Sequence, residues 1–397
     1  MNSKTKGKKT TVAVISVLLM VVVFAGIFVL GIKGTPEAPV SATQPVQTTE
    51  ETVNNTESQD AAEKEPDYKY LISCMTLEEK VAQMMLASCH ENVDIEDAAR
   101  FGVGGLCLFT HSFTDKSRDE VVSMIKGYQS LSEIPLFVSA DEEGGTVCRV
   151  SRNPNLRATP FLSPLDLYAQ GGFELIKSDT EEKAELLLSL GVNVNLAPVC
   201  DVPESEGDFI YDRSFGTDAD ETAQYIELVV STMKTSGVGS VLKHFPGYGG
   251  NIDTHYDVSY DRRDYSVFEQ RDFKPFITGI ENGADCVMVN HNIVTCMDDS
   301  MPASLSKPVY DILRNELGFK GVIMTDDLTM QGITEFTDGR SAAVAAVMAG
   351  NDIIGCDDYR ANTDAIVKAV QSGEISESQI DASVERILRF KHNLGII

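Results

Sequence analysis

The sequence contains no Gly-x-Gly-x-x-Gly loop and no Walker-type phosphate loop, which removes the commonest nucleotide-binding readings of an α/β chain. It also has no Cys-x-x-Cys pair and no His-Glu-x-x-His helix, so a zinc site has no support and no metal or other cofactor is expected. Basic residues are scarce: 33 Lys and Arg stand against 60 Asp and Glu, a formal net charge of −27 over 397 residues. Nucleic-acid binding needs a basic footprint, and this chain lacks one. The acidic balance fits a soluble body that does not adhere to anionic polymers or lipid head groups.

Eight cysteines are present, but their placement does not read as a disulfide framework. Cys107, Cys200, Cys286 and Cys356 each lie inside a short apolar stretch, where cysteine usually acts as a small buried hydrophobe. One long apolar run stands out, Val12 to Ile32, without a charge and preceded by Lys4, Lys6, Lys8 and Lys9. Twenty-one helical residues span about 31 Å, the thickness of a bilayer core. The lysines place residues 1–11 in the cytoplasm and the bulk of the chain outside. Residues 12–32 are therefore expected to be an uncleaved single-pass cell-membrane anchor; cleavage after Val40-Ser41-Ala42 would instead give a secreted protein. Residues 33–66, acidic and rich in Thr, Pro, Gln and Ser, have too little apolar surface to fold and read as a tether. Residues 67–397 are the expected folded body, taken to be a monomer.

From residue 67 onward a short apolar run, a polar residue, a loop and an amphipathic stretch recur. The runs are Met84–Ser88, Gly104–Phe109, Leu136–Ala140, Val192–Ala197, Ser240–Lys243, Cys286–Asn290, Val322–Thr325 and Asp352–Gly355. They lack in/out alternation, as parallel strands buried on both faces do. The stretches between them, such as Asp220–Thr235, Tyr265–Asn282 and Lys307–Leu317, have helical periodicity, and Ile380–Leu394 closes the chain. Eight such units in about 330 residues predict a (β/α)8 barrel rather than an open sheet. Six of the runs lead directly into ionisable groups: Asp141, Asp201, Lys243 with His244, His291, Asp326 with Asp327, and Asp357. Barrel active sites form at the C-terminal strand ends, so these groups are expected to converge on one mouth. A single Asp after a strand is more often a helix cap or turn former, and that is the reading for Asp327, which alternation turns away from Asp326.

The richest segment is Lys243-His244-Phe245-Pro246-Gly247-Tyr248-Gly249-Gly250-Asn251-Ile252-Asp253-Thr254-His255. Pro246 and three glycines force an irregular loop, and into it the chain packs Lys243, His244, Asp253 and His255. This segment resembles the Lys-His-Phe-Pro-Gly signature of glycoside hydrolase family 3, in its β-N-acetylglucosaminidase branch. It departs in having Tyr248 where a His is common and in being about one residue shorter. The resemblance implies that Asp253 and His255 form the acid/base pair. An imidazole titrates near neutral pH without tuning, and a carboxylate partner holds its tautomer.

Three further segments carry the same resemblance. Thr325-Asp326 is similar to the family's nucleophile segment, which implies Asp326 as the nucleophile. Ser139-Ala140-Asp141-Glu142-Glu143-Gly144-Gly145-Thr146-Val147-Cys148-Arg149 and Asp212-Arg213-Ser214-Phe215-Gly216 are similar to its sugar-binding motifs. They imply substrate contacts from Asp141, Arg149 and Arg213, with Lys243 and His244 donating to ring hydroxyls. Thr146 stands where many relatives have Arg. His291 is expected to line the mouth, whereas His90, His111 and His392 have no such context. The implied activity is retaining exo-hydrolysis of terminal β-linked N-acetylglucosamine from peptidoglycan- or chitin-type glycans. Three other readings compete: a β-glucosidase or β-xylosidase, a phosphorylase passing the sugar to phosphate, and a wall-binding module without activity.

Overall fold

The structure, a computed structural model, describes residues 66–254, 258–330, 333, 336 and 341–397. Eight parallel strands form one sheet: β1 Met85–Cys89, β2 Gly105–Leu108, β3 Phe137–Ala140, β4 Val194–Asn195, β5 Gly239–Phe245, β6 Cys286–Val289, β7 Val322–Thr325 and β8 Ile354–Cys356. Neighbours in the sheet are neighbours in sequence from β1 to β7, and β8 returns to pair with β1 through Met85 and Ile354. An isolated parallel bridge between Met324 and Ile353 joins the β7 and β8 sides, so the ring is nearly closed. The predicted barrel is therefore present, and every residue in its eight strands is buried. That burial on both faces explains why the runs showed no alternation.

The departures from the expected elements have local causes. The fourth strand was expected over Val192–Ala197 but is regular only at Val194–Asn195; past Pro198, which has no N–H, pairing resumes as an isolated parallel bridge between Val199 and Lys243. The helix expected over Tyr265–Asn282 is broken by a wide π-helical turn at Phe268–Asp272, and only Phe273–Glu281 is regular. A similar turn at Ile312–Glu316 ends the helix that starts at Lys307. The helices Ala219–Ser236 and Glu377–Asn393 match their expected ranges to within a few residues.

All eight cysteines are free thiols, and all but Cys74 and Cys296 are buried. Burial pushes the Cys89 and Cys356 thiols up to about 12, which keeps them protonated and inert. Among the described residues no helix is long and apolar enough to cross a membrane. The expected anchor at 12–32, the tether at 33–66 except its last residue, and His255 all lie outside the described residues.

Candidate active site

The site begins at the end of β3. There Glu142–Gly144 pairs with Val147–Cys148 in a short antiparallel ribbon that reverses at Gly144 and Gly145, both at positive φ. A Cβ on Gly144 would come within 2.1 Å of the Leu162 carbonyl, so the reversal needs glycine. Glu142, fully buried beneath the ribbon, accepts the backbone N–H of Arg149 at 2.9 Å and of Val150 at 2.7 Å. That fold-back brings Arg149 Nε to 3.5 Å from Asp141 Oδ2.

Beyond Asp141 a chain of charges runs into the barrel. Lys243 Nζ, at the end of β5, donates to Asp141 Oδ1 at 2.7 Å and lies 2.6 Å from Glu143 Oε1. Arg213 binds Glu143 with two N–H groups, at 3.0 and 2.8 Å. His244 follows, with Nε2 3.1 Å from Arg213 Nη2 and Nδ1 2.7 Å from Asp201 Oδ2. Lys243 and Glu143 side chains are each 2% exposed, so these ions rest on one another rather than on water. Burial opposes every charge in the set, but Asp141 and Glu143 outweigh it on Lys243 and hold its pKa above the usual value. Burial likewise pushes the carboxyls up, and the cations win again: Lys243 and Arg149 hold Asp141 low, and Arg213 and Lys243 hold Glu143 very low. Asp141, Glu143, Lys243 and Arg213 are thereby all biased toward their ionised forms.

The loop after β5 is braced from below. Tyr248, 1% exposed, packs its ring edge on His244 with centroids 5.2 Å apart. Its hydroxyl meets Thr254 Oγ1 at 2.7 Å, next to Asp253. The Tyr that replaces the more usual His therefore works as a loop strut. Arg263 closes the other side, bonding Asp261, Asp272 and the Gly247 carbonyl. Gly249, at φ 54°, has this guanidinium so close that a Cβ would sit 2.4 Å from it.

A cavity of ≈ 350 Å³ opens over these groups, and Asp141, Arg149, Arg213, Lys243, His244, Asp253 and Asp326 all line it. Of the strand-end groups expected to converge, Asp141, Lys243, His244, Asp326 and Asp327 line it. Asp326 comes from the end of β7, across the barrel from β3, and its Oδ1 accepts the Asp327 N–H at 2.9 Å. Such a cavity lies at the lower end of the range for small-molecule sites, about 300–1,000 Å³.

Several expectations need correction. Both ring nitrogens of His244 are engaged, so it reaches the cavity as the support of Arg213 and offers no spare N–H to a hydroxyl. His291 does not line the cavity. It is buried beneath it, with Nδ1 2.7 Å from Ser304 Oγ and Nε2 3.0 Å from the Asp327 carbonyl. Asp327 does form a turn, accepting Thr329 N–H at 2.8 Å, but it also lines the cavity beside Asp326. His90 is not bland: it lines the cavity too, 3.1 Å from Asp327 Oδ2. Asp357 is not among the lining residues, and Asp201 acts from behind His244. Glu143 was missed, although a period of two along an extended ribbon places it on the same side as Asp141.

Comparison with known proteins agrees with this geometry. The family model "Glycosyl hydrolase family 3 N terminal domain" matches residues 76–390. A beta-hexosaminidase of Hydrogenovibrio crunogenus is 31% identical over 286 residues, covering 70% of this chain and 79% of that protein. The structure of a glycoside hydrolase family 3 beta-N-acetylglucosaminidase from Paenibacillus superposes with a TM-score of 0.75 at 31% identity, covering 81% of this chain. This chain spans 63% of that longer one. A beta-N-acetylhexosaminidase from Beutenbergia cavernae, at 26% identity and TM-score 0.71, is covered over 99% of its length and covers 80% of this chain. With four-fifths of the chain inside the family model and a relative 31% identical over most of its length, the protein belongs to glycoside hydrolase family 3.

Proposed function

We propose that this chain is a retaining exo-β-N-acetylglucosaminidase that removes terminal, non-reducing N-acetylglucosamine from peptidoglycan- or chitin-type glycans. The observation that carries the proposal is the single cavity in which Asp326 faces the Asp141–Lys243–Glu143–Arg213 network, with Asp253 on its wall. The names of the relatives, beta-hexosaminidase and beta-N-acetylglucosaminidase, point to the same sugar.

In this reading Asp141 and Arg149 hold the sugar hydroxyls, and the buried Lys243 behind Asp141 keeps that carboxylate charged and fixed before substrate arrives. Asp326 attacks the anomeric carbon. His255, oriented by Asp253, gives its proton to the departing glycosidic oxygen, and a covalent glycosyl-enzyme forms. Water then enters, His255 takes its proton back from it, and the β configuration returns after two inversions. The apolar run at 12–32 and the tether at 33–66 support a body held outside the cell membrane, close to wall glycan.

Assays of the full-length chain on nitrophenyl glycosides test the proposal. Hydrolysis of the N-acetylglucosaminide should exceed that of the glucoside by at least about 100-fold, release β-N-acetylglucosamine first, and need no phosphate. It should vanish in Asp326→Asn. Preference for the glucoside, inversion, or a sugar-phosphate product formed only with added phosphate would each replace this reading.

A further inference from the structure

An Asp that merely forms a turn uses one carboxylate oxygen on the backbone N–H two residues ahead. Asp327 does this with Oδ1 and Thr329 N–H, yet Oδ2 is also taken, by His90 Nε2 at 3.1 Å from the far end of β1. Against the upward push of burial, the nearby Ser88 hydroxyl, with Thr329 and His90, helps hold the Asp327 carboxyl below its ordinary pKa. A carboxylate only accepts, so His90 carries its proton on Nε2. Its ring is held flat on Phe109, with centroids 4.4 Å apart and planes 27° apart. The backbone of Asp327 is fixed as well, since its carbonyl faces His291 Nε2 at 3.0 Å. Three parts of the barrel (the β1 end, the β6 loop and the turn after β7) thus converge on one residue. Turn formation alone needs none of the contacts from β1 and β6.

What that residue presents to the site is its N–H, 2.9 Å from Asp326 Oδ1. This bond occupies one oxygen of Asp326 and leaves Oδ2 as the atom to form the glycosyl bond. A reacting group has to stand within about 0.5 Å and 10–20° of its productive geometry. Any tilt of the 326–327 peptide would move the N–H and turn the carboxylate.

We propose that His90 and Asp327 form a positioning pair, which holds the 326–327 peptide so that Asp326 presents Oδ2 to the anomeric carbon. The pair rests on the reading of Asp326 as nucleophile but adds to it two residues with no part in the mechanism above. It also accounts for an otherwise costly arrangement, a second carboxylate directly beside the first in one cavity. Its negative charge is met by hydrogen bonds from His90 and Thr329, so it does not compete with Asp326 for the substrate.

The test is the rate at which a 5-fluoro N-acetylglucosaminyl fluoride inactivates the full-length chain, because that rate reports formation of the covalent bond alone. In Asp327→Ala it should fall about 10- to 100-fold, and in His90→Ala about 10-fold. The dissociation constant of N-acetylglucosamine should change less than twofold in both. His90→Gln, whose amide can donate to the same oxygen, should recover most of the rate. The double variant should be no slower than Asp327→Ala, since the two act as one unit. Should Asp327→Ala not fold, Asp327→Asn and the two His90 variants carry the comparison. Unchanged inactivation rates overturn the pair, and so does sugar affinity that falls in step with the rate, which would make it a binding contact. Peptide mapping of the labelled native chain separates the two ideas. Label away from Asp326 removes the nucleophile reading itself, whereas label on Asp326 with unaltered rates removes only the pair.

Discussion

His244 is held between Asp201, whose Oδ2 lies 2.7 Å from Nδ1, and Arg213, whose Nη2 lies 3.1 Å from Nε2. An ionised carboxylate only accepts and a guanidinium only donates, so the ring carries its proton on Nδ1 and turns a lone pair toward Arg213. The imidazole thereby connects a fully buried carboxylate to the cavity. From Asp201 the order is His244, Arg213, Glu143, Lys243, Asp141, and each neighbour is an opposite charge or a matched donor and acceptor. The arrangement fixes the sugar-facing groups before binding, which is where electrostatic stabilisation of a charged transition state gains most.

Asp201→Asn follows from this as a sharp test. Asp201 accepts from the His244 backbone and ring through Oδ2 and from Tyr248 N–H through Oδ1. An amide has one oxygen, so one side must be left unmet. If the NH2 group turns toward the ring, His244 is driven to the opposite tautomer and its Nε2–H confronts a donor on Arg213. If it turns the other way, buried Tyr248 N–H loses its partner. Either outcome should cost about 1–3 kcal/mol of stability. It should also lower kcat/KM on an aryl N-acetylglucosaminide by about 10-fold or more through displacement of Arg213. Thermal unfolding and steady-state kinetics read the two effects, and an unaltered protein in both would mean that the chain of charges is not coupled.

For His255 the expected signature lies in the leaving group. General-acid help matters most when the departing oxygen is basic. His255→Ala should therefore lose activity on natural disaccharides by about 100-fold or more, while aryl substrates with acidic phenols are cleaved at near-native rates in the bond-breaking step. Asp253→Asn should show a milder version of the same pattern, because it mis-orients the imidazole without deleting it. Equal losses on both kinds of substrate would assign His255 to binding.

Much of this was legible in the sequence because it depends on local pattern. Strands such as Val322–Thr325 stand out as apolar runs because both faces are buried, and the charged residue just after each run is where a barrel places its site. Long-range pairing is another matter. His90 and Asp327 are 237 positions apart, and neither has a local feature that announces the other. His291 was placed at the right strand end but on the wrong side, since only packing against Ser304 and Asp327 decides which way the ring turns. Likewise, nothing in the apolar spacing of residues 265–282 reveals the wide turn at Phe268–Asp272, because a π-turn shifts the helix face without changing which residues are apolar.

Lys391 provides a test of stability that is independent of the active site. It sits in the last helix, Glu377–Asn393, fully buried, with Nζ donating to Gln83 Oε1 at 2.8 Å. That neutral acceptor cannot offset the loss of water around an ammonium, and burial pushes its pKa down to about 7. In the unfolded chain the group titrates near its ordinary value of about 10.4. Between these two values the unfolded state binds more protons than the native state, so this group makes stability rise as pH increases from about 7 toward 10. Below about 7 both states are charged and the penalty is felt in full. Lys391→Met, which fills similar space without a charge, should stabilise the protein by about 1–3 kcal/mol near pH 6. The gain should shrink steadily toward pH 10. Denaturant titrations of both proteins across that range isolate the effect, because every other titrating group cancels in the difference. A difference that does not vary with pH would show that Lys391 titrates in the folded chain as it does in the unfolded one, so that burial does not lower its pKa. A variant less stable than the parent at pH 6 would show that the Gln83 bond outweighs the desolvation of the charge.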